Sequence, residues 1–136
     1  MDIYHIPFFE GIDLTVIKAV NAVCRTTNFK SGQQIFAKGD SADFLYILET
    51  GSVELLLKEE DQTCFFLTEP GEVFGWSSIV EKGVYTSTAT CKADTKLLTV
   101  SKQDIKEIFN KYPQAAIKFY QRLGSIFSKR ISKAIG

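Results

Sequence analysis

The sequence EPGEVFGWSSIVEKGVYTSTATCKA, residues 69–93, alternates short strand-forming runs with glycines. Gly75 opens residues 76–80, which predict a single helical turn. A glycine followed by one helical turn directs unpaired backbone N–H groups to one point, and such a point attracts phosphate and other anions. The hydroxyls of Ser77 and Ser78 add two donors. Glycine and serine also form ordinary tight turns, so spacing alone favours a plain turn over an anion site.

On both sides of this stretch, residues 29–100 have the pattern of a β domain. Residues 44–48 are rich in strand formers, Val53, Leu55 and Leu57 alternate after a turn, and residues 85–90 alternate with small polar side chains. Several short strands with turn signals between them are typical of a sandwich or barrel. The sequence therefore predicts a mainly β fold with a barrel over residues 29–100.

The two ends of the chain have helical periodicity. Residues 1–28 are predicted to form a helical segment before the barrel, in which Asp13 is a plausible N-cap before an apolar face. Residues 101–136 predict two helices, the first capped by Ser101 and the second starting at Pro113, which suits a first helical turn. The predicted architecture is thus one helix, a barrel and two C-terminal helices.

Length and composition are those of one globular domain covering residues 1–136. Of its side chains 45% are hydrophobic and 24% are charged, with 16 basic and 16 acidic residues. Zero net charge argues against a domain that coats nucleic acid, and the apolar runs are too short to span a bilayer. We expect no membrane partner.

The cysteine and histidine content excludes several kinds of site. Cys24, Cys64 and Cys91 are odd in number and far apart, which favours free thiols in a reducing compartment, the cytoplasm, over a disulfide framework. His5 is the only histidine, so a site built from several imidazoles cannot form, and neither can the usual metal site of a jelly-roll enzyme of the cupin type. We expect no enzymatic activity and no metal.

Several short stretches of the chain resemble those of a known family. The chain is similar to the cyclic-nucleotide-binding domain of catabolite activator proteins, protein kinase A regulatory subunits and cyclic-nucleotide-gated channels. The likeness is carried by Lys38-Gly39-Asp40, Leu45-Tyr46-Ile47-Leu48 and the run from Pro70 to Gly75. The likeness extends from Pro7 to about Ile131. It implies an eight-stranded jelly-roll barrel, a double-stranded β-helix, with helices at both ends. It also implies that residues 75–88 form a phosphate-binding cassette.

The chain departs from that family at the two most informative positions of the cassette. Where the family has a glutamate for the ribose 2′-hydroxyl, this chain has Trp76, and where it has an arginine for the cyclic phosphate, this chain has Thr86. Ser87 matches the small hydroxyl residue that often follows that arginine. Trp76 either stacks on a ligand and closes the pocket or fills the barrel mouth as a structural aromatic.

Two functions follow from this pattern. The first is a regulatory module in which Gly75, Trp76, Ser77, Ser78, Thr86 and Ser87 bind a small anionic ligand in the barrel, with weak or no binding of cAMP and cGMP. The second is a ligand-free interaction or dimerisation module with a degenerate pocket. No cofactor is named by the sequence, and a cyclic nucleotide or another small phosphate or carboxylate is the candidate ligand.

The C-terminal helix is the candidate partner surface. It has an apolar face larger than a lone terminal helix is expected to expose, which predicts a homodimer. This face consists of Ile117, Tyr120, Leu123, Phe127 and Ile131. The alternative is that this face folds back on the barrel of its own chain. The family's transcription factors carry a winged helix-turn-helix after this helix, and from the end of the sequence at Gly136 we expect no DNA-binding domain and no direct DNA binding.

Overall fold

The computed structural model describes residues 2–79 and 83–135, with side chains up to Arg130. The strands are β1 Arg25–Phe29, β2 Gln34–Phe36, β3 Phe44–Thr50, β4 Val53–Lys58, β5 Thr63–Leu67, β6 Val73–Phe74, β7 Thr88–Cys91 and β8 Thr95–Ser101. The helices are α1 Leu14–Val23, α2 Lys102–Lys111 and α3 Pro113–Ile135, and short 3₁₀ turns lie at Ile3–His5, Pro7–Phe9 and Trp76–Ser78.

The strands form two antiparallel four-stranded sheets, in the orders β1-β8-β3-β6 and β2-β7-β4-β5. This arrangement confirms the mainly β jelly-roll barrel with one N-terminal and two C-terminal helices. The edge strands are β1 and β6 in the first sheet and β2 and β5 in the second.

Strand β3 divides the apolar core in two, because successive side chains of a strand point to opposite faces. Tyr46 and Leu48 join a barrel cluster, whereas Leu45 and Ile47 join a helix cluster. The barrel cluster consists of Phe36, Ala42, Tyr46, Leu48, Val53, Leu55, Leu67, Phe74, Tyr85, Ala89 and Leu97. The helix cluster consists of Ile3, Ile6, Phe8, Phe9, Ile12, Val16, Ile17, Val20, Leu45, Ile47, Val73, Ile79, Leu98, Val100, Ile105, Ile108, Ala115, Phe119 and Leu123.

Two predicted boundaries were wrong. The first strand begins at Arg25 and not at residue 29, because the polar run from Arg25 to Asn28 forms an edge strand that pairs only with β8 and needs no apolar face. The last predicted strand but one begins at Thr88 and not at Tyr85. The backbone of Tyr85 pairs instead with the turn at Gly39 and Asp40.

The predicted helix caps are confirmed. The Asp13 side chain accepts a hydrogen bond from the Thr15 N–H at the start of α1, and the Ser101 hydroxyl accepts one from the Asp104 N–H at the start of α2. Pro113 begins α3 as predicted. Among the residues that the structure describes, none of the helices combines the length and apolar character needed to cross a membrane.

Helix α3 uses two apolar faces where the sequence predicted one. Ala115, Phe119 and Leu123 are buried in the helix cluster, so Leu123 belongs to a face that packs on its own chain. On another side of the helix, Ile117, Tyr120 and Phe127 are 59%, 45% and 50% exposed. The side chain of Ile131 lies outside the described residues. One face of α3 is therefore consistent with packing on the chain's own core, and the other with the predicted homodimer.

Polar contacts fix α3 against the start of the chain. Arg122 donates to the carbonyl oxygens of Pro7 and Glu10, and the Lys118 ammonium donates to the Gly11 carbonyl over 2.9 Å. Farther along, α3 contacts β5 and reaches the end of β6. The C-terminal half of α3 thus lies beside the edge strands of both sheets, next to the predicted cassette.

Candidate functional site

The cassette begins with a left-handed glycine. Gly75 has φ 78° and ψ 22°, a conformation that glycine adopts readily and other residues rarely. A Cβ at this position would lie 2.8 Å from Tyr46 Cδ2 and 3.0 Å from the Phe44 carbonyl oxygen. Gly75 is therefore required by both backbone conformation and space, and it ends β6 and starts the turn Trp76–Ser78.

The two serines of this turn are buried. Ser77 is 8% exposed and Ser78 is fully buried. Within the described part of the chain, the Ser78 Oγ has no hydrogen-bond partner. A buried hydroxyl without a partner is costly, and such groups in folded proteins call for a specific explanation. The described contacts of the turn thus leave the Ser78 Oγ as its unsatisfied side-chain polar atom.

Thr86 and Ser87 lie apart from the turn. They form a bend between Tyr85 and β7, where Thr86 is exposed and Ser87 is half-buried. Among the described residues, no hydrogen bond joins either hydroxyl to Ser77 or Ser78, and residues 80–82 between them lie outside the described range. The structure thus brings Gly75, Trp76, Ser77 and Ser78 together in one turn and places the other two predicted residues after it.

Trp76 packs towards α3. Its ring makes an edge contact with Phe127, with ring centres 5.3 Å apart, and it lies at the rim of the helix cluster. The Arg130 guanidinium carbon lies 5.5 Å from the centre of the Trp76 ring. The side chain therefore bridges the cassette and the C-terminal helix, and it lies outside the barrel cluster.

Aromatic rings occupy the barrel interior on the other side of the cassette. Phe36 and Tyr85 stack with centres 3.7 Å apart, and Tyr46 and Phe74 stack at 5.1 Å. The Tyr85 hydroxyl donates to the Phe44 carbonyl oxygen over 2.7 Å and accepts from the Phe44 N–H over 3.1 Å. Burial raises the pKa of both Tyr46 and Tyr85, so both phenols are neutral at physiological pH. The two phenols therefore contribute no charge to this side of the cassette.

Arg130 is a functional candidate outside the set of predicted site residues. Its Nη2 donates to the Val73 carbonyl oxygen over 2.6 Å, at the edge of β6. Burial lowers the pKa of this guanidinium, and the nearby Glu72 carboxylate acts against that shift. Helical spacing supplied a weak signal, because Phe127 and Arg130 are three residues apart and neighbours on one helix surface. Tyr120, about two helical turns before Phe127, donates from its hydroxyl to the Ile79 carbonyl over 2.8 Å.

This arrangement of a glycine-started turn inside a jelly roll agrees with comparisons to known proteins. The family model for the cyclic nucleotide-binding domain matches residues 26–112. The chain belongs to this family. It is 26% identical over 131 residues to the cyclic AMP receptor protein of Thermus thermophilus, covering 94% of this chain and 58% of that protein. The resemblance inferred from the sequence is thereby confirmed.

Solved structures support the fold. A cyclic nucleotide-binding protein from Geobacter metallireducens superimposes with a TM-score of 0.82 at 21% identity, covering 93% of this chain and 92% of that one. The Thermus thermophilus catabolite activator protein superimposes with a TM-score of 0.72 at 25% identity, covering 94% and 59%. The domain is a regulatory module of this family and is not itself an enzyme.

The names of the relatives also concern the question of DNA binding. A relative from Mycobacterium tuberculosis, 23% identical over 92% of this chain, is named a CRP-like cAMP-activated global transcriptional regulator. The chain spans 55–58% of the length of the curated relatives it matches first. These regulators give no support to the expectation that the protein does not bind DNA, which stays a prediction.

Proposed function

We propose that this domain is a regulatory sensor that binds a small anionic ligand at its cassette and binds cAMP and cGMP weakly or not at all. The proposal rests on the turn at Gly75, which keeps the family's backbone frame and a buried, unpartnered Ser78 hydroxyl. The positions that hold the nucleotide in the family carry the neutral side chains of Trp76 and Thr86. The frame favours an anion, and the missing charges disfavour a cyclic nucleotide.

The size of the expected loss follows from the missing interactions. An arginine–phosphate pair and a carboxylate–ribose hydrogen bond each contribute roughly 1.5–3 kcal/mol. Without both, affinity falls by about two to four orders of magnitude, to high-micromolar dissociation constants or weaker. The stacked rings of Phe36 and Tyr85 are consistent with this, because they fill part of the barrel interior.

Calorimetric titration with cAMP and cGMP tests the proposal. We expect weak binding by the wild type and a gain in the Thr86→Arg, Trp76→Glu double variant, which restores both side chains. Thr26→Arg adds the same positive charge at an exposed position on β1, and we expect it to leave binding unchanged. Low-micromolar binding of either nucleotide by the wild type would contradict the proposal.

The second candidate function, an interaction module, is favoured by the exposed stripe of α3. Ile117, Tyr120 and Phe127 are large side chains that remain at least 45% exposed, although Tyr120 and Phe127 also contact the cassette turn. We propose that this stripe forms a homodimer, with or without a ligand in the cassette. In light scattering, Phe127→Lys should lower the apparent mass, and Ser125→Lys should not, because it lies two residues away on another side of the helix. A wild-type monomer at high micromolar concentration would contradict the dimer.

The cytoplasm is the proposed location of the domain. Cys24, Cys64 and Cys91 are free thiols, and Cys91 is buried. Burial raises the pKa of Cys24 to about 11, which keeps this thiol protonated and unreactive. Unpaired thiols are typical of reducing compartments. Fractionation of cells that express the native gene, followed by immunoblotting, tests this location.

A further inference from the structure

Arg130 is a half-buried cation placed against the cassette by a helix that is distant in sequence. Its guanidinium makes one hydrogen bond, from Nη2 to the Val73 carbonyl oxygen. A guanidinium has five N–H donors, so most of them are not used here. Among the described residues, Nε and Nη1 have no hydrogen-bond partner and neither nitrogen is fully buried. These two nitrogens are therefore accessible to solvent and to a ligand.

The positive charge of Arg130 is only partly compensated. No carboxylate in the described part of the chain lies within 4.0 Å of it. Glu72 acts on it electrostatically, but one oxygen of that carboxylate accepts hydrogen bonds from the Thr68 and Glu69 N–H groups, each over 3.0 Å. A guanidinium that has no close counter-ion and has accessible N–H groups can form a charge-assisted pair with an added anion. An anion beside Arg130 would complete its environment.

A second observation concerns the turn Trp76–Ser78, which Arg130 contacts from α3. The guanidinium is over the ring of Trp76, the first residue of that turn, and Ser78, its third residue, has the buried hydroxyl without a partner. At the other end of the cassette, Thr86 is neutral and exposed. The unused nitrogens of Arg130 thus lie against the same short turn that contains the unpartnered Ser78 hydroxyl.

We propose that Arg130 supplies the positive charge that binds the anionic ligand at the cassette, in place of a cationic side chain at position 86. The ligand is a small molecule with a phosphate or carboxylate group, whose oxygens accept from the free nitrogens of Arg130. This inference rests on the proposed anion-binding function and adds the residue that determines its charge specificity. A planar guanidinium suits both kinds of oxyanion because it can donate two parallel hydrogen bonds.

Trp76 provides the measurement, since it is the only tryptophan of the chain and contacts Arg130. The full chain is titrated with inorganic phosphate at constant ionic strength, with chloride as the balancing anion, and tryptophan fluorescence is followed. We expect a saturable change in the wild type. In Arg130→Gln, which removes the positive charge, the midpoint should rise at least tenfold. The control is Lys129→Gln, which removes the same charge from the exposed neighbouring position and should not move the midpoint.

The outcomes separate this inference from the function on which it rests. Equal phosphate midpoints in the wild type and in Arg130→Gln would overturn the role of Arg130 and leave an anion-binding cassette. No saturable response to phosphate in the wild type would overturn both. Arg130→Lys keeps the charge and loses the planar donor pair, so we expect its midpoint to lie between the other two. Circular dichroism at each phosphate concentration confirms that the variants are folded.

Discussion

The two sides of the cassette strand β6 differ in chemistry. On the barrel side, Phe74 and Gly75 lie against stacked aromatic rings, and the tyrosine hydroxyls are neutral. On the helix side, Val73 and Trp76 meet α3 and its Arg130. The barrel side is close-packed and continuous with the core, whereas the helix side is a contact between two elements that are partly exposed.

We expect the barrel side to determine the stability of the fold and the helix side to determine the response to a ligand. Buried rings in a packed core contribute mainly to the free energy of unfolding, because their removal leaves a cavity. The contacts of Trp76, Phe127 and Arg130 join α3 to the turn and bury less surface. We therefore expect substitutions on the barrel side to change stability, and substitutions on the helix side to change the position of α3 and the affinity for an anion.

The largest effect is expected for Phe74→Ala. Phe74 is fully buried and stacks on Tyr46, so its loss should lower the free energy of unfolding by about 3–5 kcal/mol. The matched variant on the helix side is Trp76→Ala, which removes a half-buried ring and should cost about 1–2 kcal/mol. Urea denaturation followed by circular dichroism measures both. Equal losses would show that the two sides of β6 contribute alike.

The next effect concerns two glycines. Gly75→Ala forces a Cβ to within 2.8 Å of Tyr46 and imposes a left-handed backbone on alanine, which should cost about 1–3 kcal/mol. Gly124→Ala in α3 meets no atom within 4 Å and should stabilise the chain by up to about 1 kcal/mol through helix propensity. The thermal midpoints of the two variants should move in opposite directions. A lower midpoint for Gly124→Ala would mean that α3 needs this glycine for a close contact, such as one with a second copy.

Local signals predicted the fold well. Alternation in residues 53–57, the cap at Ser101 and the turn at Gly75 are encoded within a few residues, and each is confirmed. The polar edge strand at Arg25–Phe29 was missed because it pairs on one side only and carries no alternating pattern.

The candidate site was predicted less completely, because its contacts join distant parts of the sequence. The contact between Trp76 and Arg130 spans more than fifty residues, and the stack of Phe36 on Tyr85 spans nearly as many. Neither contact is encoded by a short sequence motif. The apolar face of α3 was assigned as one stripe, because periodicity alone does not tell which of two neighbouring faces meets the chain's own core.

A smaller effect is expected when one hydroxyl is removed from the barrel side. Tyr85→Phe leaves the Phe44 N–H and carbonyl without the partner they share, and should lower the free energy of unfolding by about 1–2 kcal/mol. Tyr112→Phe is the control, since no hydrogen bond of the Tyr112 hydroxyl occurs within the described residues, and it should be neutral. Equal unfolding free energies for the two variants in urea titrations would contradict the role of the Tyr85 hydroxyl.

Alkaline pH should also distinguish the buried phenol. Burial raises the pKa of Tyr85 above the ordinary value of 10.0, so the folded chain retains this proton when the unfolded chain has lost it. Its contribution to stability is complete below about pH 10 and decreases as the pH rises beyond that value. Between pH 9 and pH 11, roughly one unit on either side of the ordinary phenol pKa, the wild type should lose more stability than Tyr85→Phe, as measured by urea midpoints. Parallel curves for the two proteins would mean that the phenol is accessible to water.

The smallest stability change is expected for Tyr120→Phe, which is the helix-side counterpart of Tyr85→Phe. The Tyr120 hydroxyl donates to the Ile79 carbonyl at the end of the cassette turn, but Tyr120 is 45% exposed and water can replace it. The free energy of unfolding should therefore fall by less than about 1 kcal/mol. This bond nevertheless joins α3 to the turn, so its loss should shift the emission of Trp76, whereas Tyr85→Phe should change stability with little effect on that emission. If Tyr120→Phe leaves the emission of Trp76 unchanged, the helix side of the cassette is held by Arg130 and Phe127 alone.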